Sequence, residues 1–153
     1  MIMNLNELLT KQNVFTKLIL KDGDKEVSKE LKVKMMRIRM AYTKAKKKFD
    51  EETQEFITEL VPQELRDLNN KIDKSEEELE KEKNLGMKVD SEYREFLIQK
   101  GNEDINLSVD DSLTIDEYSD ILEVNAGNDV EINGNKISAT DFMEIIYDLF
   151  VKE

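Results

Sequence analysis

The feature that most constrains this chain is a helical pattern from Ser28 to Leu60, a segment without Gly or Pro. Apolar residues recur there at steps of three or four, which is the period of one helix face and not of a strand. The predicted face contains Leu31, Met35, Ile38, Tyr42, Ala45, Phe49, Thr53, Phe56 and Leu60. A helix of this length extends for about 50 Å. Its apolar face therefore needs a covering partner.

A second apolar stripe follows Pro62, the only proline of the chain. Pro62 disfavours helical geometry at Val61 and fits the first turn of a new helix. We therefore expect an antiparallel helical hairpin in which Phe56 faces Leu68 and Ala45 faces Leu79. The same register places Lys44, Lys46, Lys47 and Lys48 beside Glu76, Glu77, Glu78 and Glu80. The alternative is one continuous helix, kinked at the proline, that reaches about as far as Asn84.

Local signals predict the elements on either side of the long helix. Asn4 with Glu7 is typical of a helix N-terminus, and Lys21–Asp24 is typical of a turn. Leu85 and Gly86 indicate the end of the helix that follows the proline. Asp90 or Ser91 would then cap a short helix that runs to Gly101. Alternating residues predict a half-buried strand at Ile105, Leu107 and Val109.

The last part of the chain carries the strongest hairpin signal. Asn133-Gly134 is the favoured pair for a type I′ turn, and apolar residues flank it. Thr114 is predicted to cap a helix before the hairpin, and Ser138 or Thr140 a helix after it. The fold class expected is mainly α (α+β): a long, coiled-coil-like antiparallel helical hairpin with a small C-terminal α+β unit. The predicted division is residues 1–89 for the helical part and residues 90–153 for the acidic α+β unit.

Charge is distributed unevenly along the sequence. The formal net charge is -12, yet residues 29–48 hold nine Lys and Arg against one Glu, and residues 101–153 carry a net charge of -12. Such an acidic body repels nucleic acid at long range, so nucleic-acid binding would depend on the basic segment alone. Histidine and cysteine are both absent. Their absence excludes disulfides, thiolate metal sites and the common His-based catalytic arrangements, and we expect no enzyme activity.

Two acidic patterns are candidates for metal chemistry. Asp129, Glu131, Asn133 and Gly134 match the first positions of a calcium-binding loop, but Thr140 stands where a bidentate Glu is required. A structural hairpin explains the segment better. The adjacent acids Asp110-Asp111 and Asp116-Glu117 would suit Mg²⁺ or acid–base work, but neighbouring side chains usually point apart. We expect neither a metal nor another cofactor.

The candidate partner-binding residues lie on the long helix. Val33, Met36 and Met40 are off its main apolar stripe and widen the apolar face beyond what one neighbouring helix covers. Methionine adapts to irregular partners, although it is more often ordinary core. Lys44, Lys47 and Lys48 follow them and offer charge to a protein partner, to phosphates or to the glutamates of the predicted hairpin.

With this layout, the chain resembles small helical accessory and structural proteins of tailed bacteriophages. The resemblance lies in Asn4–Leu9, in the basic helix Lys32–Phe49 running into Glu51–Ile57, and in Tyr93–Leu97 before an acidic α+β tail. The likeness is one of pattern and includes no signature motif, and the second heptad, Leu65–Leu79, departs from it. It implies a virion or assembly accessory protein, located in the host cytoplasm or the virion, whose partners are other virion proteins or copies of itself.

Two further functions stay open at this point. One is an acidic inhibitor that imitates nucleic acid in the basic groove of a host defence or regulatory protein. The other is a Mg²⁺-dependent carboxylate enzyme. The sequence has neither a secretory leader pattern nor an apolar run long enough to span a membrane, so we expect a protein that is not secreted and makes no membrane contact.

Overall fold

The computed structural model describes residues 1–152 and confirms a mainly α fold with small β elements. The helices are α1 (Leu5–Phe15), α2 (Lys29–Leu60), α3 (Gln63–Asn70), α4 (Glu76–Gly101), α5 (Ile115–Asn125) and α6 (Ala139–Phe150). The strands are β1 (Ile2–Asn4), β2 (Lys21–Asp22), β3 (Lys25–Glu26), β4 (Asp104–Asn106), β5 (Val130–Ile132) and β6 (Asn135–Ile137).

The chain divides into two compact units. Unit 1 combines Met1–Ala45 with the chain from Asp104 onward, and unit 2 is Lys46–Glu103. This division differs from the expected one at residues 89 and 90, because that boundary falls inside α4. Helix α2 contributes its first half to unit 1 and its second half to unit 2.

Unit 1 contains the same order of elements twice. The first repeat is α1, the β2–β3 hairpin and the start of α2, and the second is α5, the β5–β6 hairpin and α6. The repeats are joined reciprocally through asparagines. Asn125, at the end of α5, donates to the carbonyl of Ile19 at 3.1 Å and accepts from its amide at 3.0 Å. Asn13, near the end of α1, donates to Asn133 Oδ1 at 3.2 Å.

The core of unit 1 covers the first half of the α2 stripe. Leu31, Met35, Ile38 and Tyr42 are buried, as the helical pattern predicts. Phe15 of α1 packs edge to face against both Tyr42 and Phe150 of α6, with ring centroids 5.9 and 5.1 Å apart. The partner of this part of α2 is therefore the terminal α+β elements and not a hairpin arm.

Unit 1 also contains short pairs of antiparallel β-strands. Strand β1 pairs antiparallel with β4, with Met3 opposite Ile105. The predicted alternating strand thus forms, but as Asp104–Asn106 it stops before Leu107 and Val109. In the β5–β6 hairpin, Asn133 and Gly134 both have positive φ, at 52° and 80°, as the type I′ prediction requires.

The helix caps of unit 1 are those that the sequence predicts. The Asn4 side chain accepts from the amide of Glu7 at 2.8 Å. Thr114 and Glu117 form a complete capping box, and Ser138 accepts from the amide of Asp141. Such a cap stabilises a helix by about 1 kcal/mol because it pairs an amide that the helix itself leaves free.

Unit 2 contains an antiparallel helical hairpin, but its predicted register is wrong. The rings of Phe56 and Phe96 stack with centroids 4.0 Å apart and an interplanar angle of 6°, and Lys100 donates to Glu52 at 2.7 Å. Helix α2 therefore pairs with the C-terminal half of α4: Phe96 lies against Phe56, and this register does not place Leu79 opposite Ala45. The interposed helix α3 causes the shift, because it displaces α4 along the hairpin.

The continuous-helix alternative is also wrong. Pro62 is the N-cap of α3, and the chain leaves helical geometry again between Asn70 and Ser75. Leu65 and Leu68 are buried in α3, whereas Ile72 is 96% exposed. The apparent heptad after the proline is thus divided between two helices and a link.

The predicted helix end at Leu85-Gly86 does not exist. Helix α4 continues through both residues to Gly101, and the expected cap at Asp90 or Ser91 lies inside it. Among the described glycines, positive φ occurs at Gly23 and Gly134 but not at Gly86. Gly86 is therefore an ordinary helical residue, and glycine identity alone did not predict the end of this helix.

Candidate docking surface on the long helix

The predicted partner-binding residues share the solvent face of α2. Val33, Met36 and Met40 are 43%, 50% and 68% exposed. Steps of three and four residues place them opposite the buried stripe that starts at Leu31 and ends at Tyr42. The same spacing places Lys44 and Lys47 on this face and Lys48 at its edge. All three lysines are exposed. We call Val33, Met36, Met40, Lys44, Lys47 and Lys48 the docking face.

The basic segment of α2 separates into two sets of side chains. Lys34 and Arg39 are engaged inside unit 1: Lys34 donates to Glu117 at 2.7 Å, and Arg39 donates to the carbonyl of Leu18. Burial lowers the pKa of Arg39. In contrast, none of Lys44, Lys47 and Lys48 takes part in an ion pair within residues 1–152. The second set remains available to a partner.

The lysine–glutamate pairing expected for these residues is wrong. Lys46 lies 3.7 Å from Asp50 on its own helix, and Glu78 pairs instead with Lys71. Because the hairpin is shifted, the glutamates at the start of α4 do not neutralise the lysines of α2. The predicted hairpin register therefore does not explain the run of lysines from Lys44 to Lys48.

The carboxyl of Glu117 has its pKa changed by the hydrogen bond from Lys34. Burial raises the pKa of this carboxyl, but hydrogen bonds from Lys34 and from the amide of Thr114 favour the charged form and outweigh burial. The resulting pKa lies below its usual value. Lys34 therefore joins α2 to the capping box of α5 inside unit 1.

A buried polar cluster in unit 1 was not predicted from sequence. Asp111 is 1% exposed, and its Oδ2 atom accepts from Lys11 Nζ at 3.1 Å and from the hydroxyl of Tyr42. Lys11 Nζ also lies 5.4 Å from the centre of the Phe150 ring. Lys11 and Asp111 are 100 residues apart, so no local pattern indicates the contact. The cluster is enclosed and joins α1, α2 and the segment before α5.

The acids considered for metal binding are used in other ways. Asp110 accepts from the amide of Ser112 at 2.9 Å, whereas Asp111 points into the buried cluster. Asp129 accepts from the amide of Ala139 at 3.1 Å and so ties the β5–β6 hairpin to α6. Within the described part of the chain, no group of three or more acidic side chains is arranged to hold a metal ion.

Exposed acids are regularly spaced on both α5 and α6. Asp116, Asp120 and Glu123 follow at steps of four and three on the exposed side of α5. On α6, exposed acids with the same kind of spacing lie opposite its buried face: Asp141, Glu144 and Asp148. The two helices contact through Tyr118, whose hydroxyl donates to the carbonyl of Met143 at 2.8 Å.

A hollow lies along α4 in unit 2. It is shallow, open to solvent and about 450 Å³ in volume. It is lined by Glu77, Glu80, Lys81, Asn84, Leu85 and Lys88. Most of these residues are exposed, which is unlike the enclosed, mostly apolar lining of small-molecule sites.

None of the helices in residues 1–152 combines the length and the apolar content that crossing a membrane requires. Comparisons with protein-family models, with curated proteins and with solved structures found no match to this chain.

Proposed function

We propose that this chain is a non-enzymatic interaction protein that binds another protein through the docking face of α2. The observation that carries the proposal is the exposure of Val33, Met36 and Met40 on a rigid helix whose opposite side is fully buried. Contiguous exposed apolar side chains beside unpaired charge are typical of protein-binding surfaces. Together with the resemblance of the chain to phage accessory proteins, this face favours a role in the virion or its assembly.

The partner expected is a protein with an apolar stripe next to carboxylates. Methionine side chains adapt to such a stripe, and the positive charges of the three lysines complement the negative charges of the carboxylates. The proposed contact places the apolar part at Val33–Met40 and the ionic part at Lys44–Lys48. Burying three large apolar side chains contributes about 1.5–3 kcal/mol each before the costs of association.

The test is co-purification of the tagged full chain with phage particles or assembly intermediates. Met36→Asp with Met40→Asp should abolish co-purification, because charge then replaces the apolar centre of the face. Ile115→Asp is the matched control, since Ile115 is 54% exposed at the start of α5 and an acid there suits the helix dipole. Unchanged co-purification of the double variant would refute docking through this face.

A second candidate function is an acidic protein that imitates nucleic acid. It is favoured by the regular exposed carboxylates of α5 and α6, which are the kind of array that a basic groove accepts. The test is salt-sensitive capture of a host DNA-binding protein such as a nuclease. Replacing Asp141, Glu144 and Asp148 by their amides should abolish that capture and leave particle co-purification unchanged. Capture that survives these replacements would count against the second function.

A further inference from the structure

The docking face has a complement within the same amino-acid sequence. Glu76, Glu80, Lys83 and Met87 follow one another at steps of four, three and four along the first three turns of α4. This spacing places them on one side of the helix, and all four side chains are exposed, Met87 by 61%. We call this set the α4 face. It combines two carboxylates at its N-terminal end with a methionine at its C-terminal end.

The two faces match when their helices run antiparallel. Met36, Met40, Lys44 and Lys47 follow at steps of four, four and three. In the antiparallel register, Lys47 lies opposite Glu76 and Lys44 lies opposite Glu80. The same register brings Met36 opposite Met87 and lays Met40 along the aliphatic stem of Lys83. In this one register, each lysine of the docking face lies opposite a glutamate, and each methionine lies opposite apolar atoms.

Neither face makes an ion pair in the part of the chain that the structure describes. Within the described residues, none of Lys44, Lys47, Glu76 and Glu80 forms an ion pair. Their neighbours are paired locally, as Lys74 is with Glu82 at 2.7 Å. Helix α2 packs on the opposite end of α4, where Phe56 stacks on Phe96, so the complement cannot be satisfied in the same hairpin.

We propose that the docking face of one copy binds the α4 face of a second copy, with α2 and α4 antiparallel. The inference rests on the proposed function and names a second copy of this chain as its partner. The interaction joins two lysine–glutamate pairs to a methionine contact. Surface ion pairs contribute little to affinity individually, so the charges chiefly select the register and the methionines supply most of the affinity.

The test measures the mass of the purified full chain by sedimentation equilibrium over a wide concentration range. The wild-type mass should rise from 17.9 kDa towards twice that value. Lys44→Glu with Lys47→Glu should remain monomeric, because two acidic faces then oppose each other. Glu76→Lys with Glu80→Lys should also remain monomeric, because two basic faces then oppose each other. An equimolar mixture of these two variants should associate again, since each reversed face meets its complement.

Lys17→Glu with Lys25→Glu is the matched control for net charge. Both lysines are exposed outside the two faces, and this variant should associate as the wild type does. Restoration in the mixture also shows that the reversed variants are folded. A wild type that stays monomeric at every concentration, or a mixture that fails to associate, overturns the inference.

Failure of this inference is distinguishable from failure of the proposed function. If the wild type is monomeric but Met36→Asp with Met40→Asp loses particle co-purification, then the docking face binds a different protein and the second copy is excluded. If the wild type dimerises as described but never co-purifies with particles, the self-contact stands and the phage accessory role fails.

Discussion

The hydroxyl of Tyr42 donates a hydrogen bond to the carboxylate of Asp111 at a point where neither residue is more than 1% exposed. The same carboxylate oxygen accepts from Lys11, so one buried charge pair and one phenol link α1, α2 and the segment before α5. Taking charges out of water is costly, and the cluster is stable only while each polar group keeps its partner. Its members are therefore the most sensitive polar positions of unit 1.

Asp111→Asn should destabilise the protein by about 2 kcal/mol, because it removes the charge from a buried hydrogen-bonded pair. It leaves Lys11 with only Glu7, a half-exposed carboxylate 3.7 Å away, as its charged partner. Urea unfolding followed by circular dichroism measures the change. Asp120→Asn is the control, because Asp120 is exposed on α5 and its loss should change stability by less than about 0.5 kcal/mol. Equal effects of the two substitutions would contradict the buried pair.

Tyr42 should make stability depend on alkaline pH. Burial, the hydrogen bond to Asp111 and the nearby carboxylate charges all raise the pKa of Tyr42 above its usual value near 10. A raised pKa in the folded state means that this contribution is complete below pH 10 and is lost as the pH rises further, because only the unfolded chain releases the proton. The slope should be about 1.4 kcal/mol per pH unit.

Comparing the wild type with Tyr42→Phe isolates this contribution from that of the lysines. Below pH 10 the variant should lose about 1 kcal/mol, the usual worth of one hydrogen bond. Above pH 10 the difference between the two proteins should shrink with rising pH. Urea unfolding at pH 8, 9, 10 and 11 provides the measurement, at values on both sides of the ordinary tyrosine pKa. Parallel pH profiles would show that Tyr42 titrates normally.

Asn125→Ala should loosen the junction between the two repeats of unit 1. Asn125 is 3% exposed, and its loss leaves both backbone groups of Ile19 without their side-chain partner. Each unsatisfied buried group costs about 1–3 kcal/mol. Hydrogen exchange should show faster exchange of the Ile19 amide together with lower global stability. Asn128→Ala, at an exposed position beside the first hairpin, should have a much smaller effect.

Gly134→Ala should destabilise the β5–β6 hairpin by about 1 kcal/mol. Gly134 has φ of 80°, a conformation that alanine adopts only with strain. Gly127→Ala is the matched control, because its φ is not positive and the added methyl group meets no atom within 4 Å. The control should be neutral or slightly stabilising in thermal unfolding. A loss of equal size at both glycines would argue against the turn geometry.

Local chemistry predicted several helix caps and the tight turn of unit 1, although it failed within α4. Asn4, Thr114 and Ser138 cap helices, and Asn133-Gly134 forms the tight turn, because each signal acts within three or four residues. The buried half of the α2 stripe was also predictable, since helical period depends only on the sequence of that helix.

Register and long-range contacts were not predictable in the same way. An α2 stripe with steps of three and four fits any helix of similar period, so it does not distinguish Phe96 from Leu68 as the partner of Phe56. Val33, Met36 and Met40 lie on the exposed side of α2, opposite the buried stripe and not beside it, and their role in binding a partner stays a prediction. The contact of Lys11 with Asp111 depends on the completed fold, because the two residues are 100 positions apart and the adjacent acids Asp110-Asp111 do not indicate a lysine partner.

The division of the chain has a consequence for its synthesis. Unit 2 is a continuous segment, whereas unit 1 needs residues from both sides of it. During translation, the helices of unit 2 are therefore complete before those of unit 1. The apolar face of the first half of α2 stays exposed until the second repeat has been synthesised. Contacts across about a hundred residues are slow to form. The nascent chain is thus most prone to aggregate, or to bind a chaperone, after α2 has been translated and before α6 leaves the ribosome.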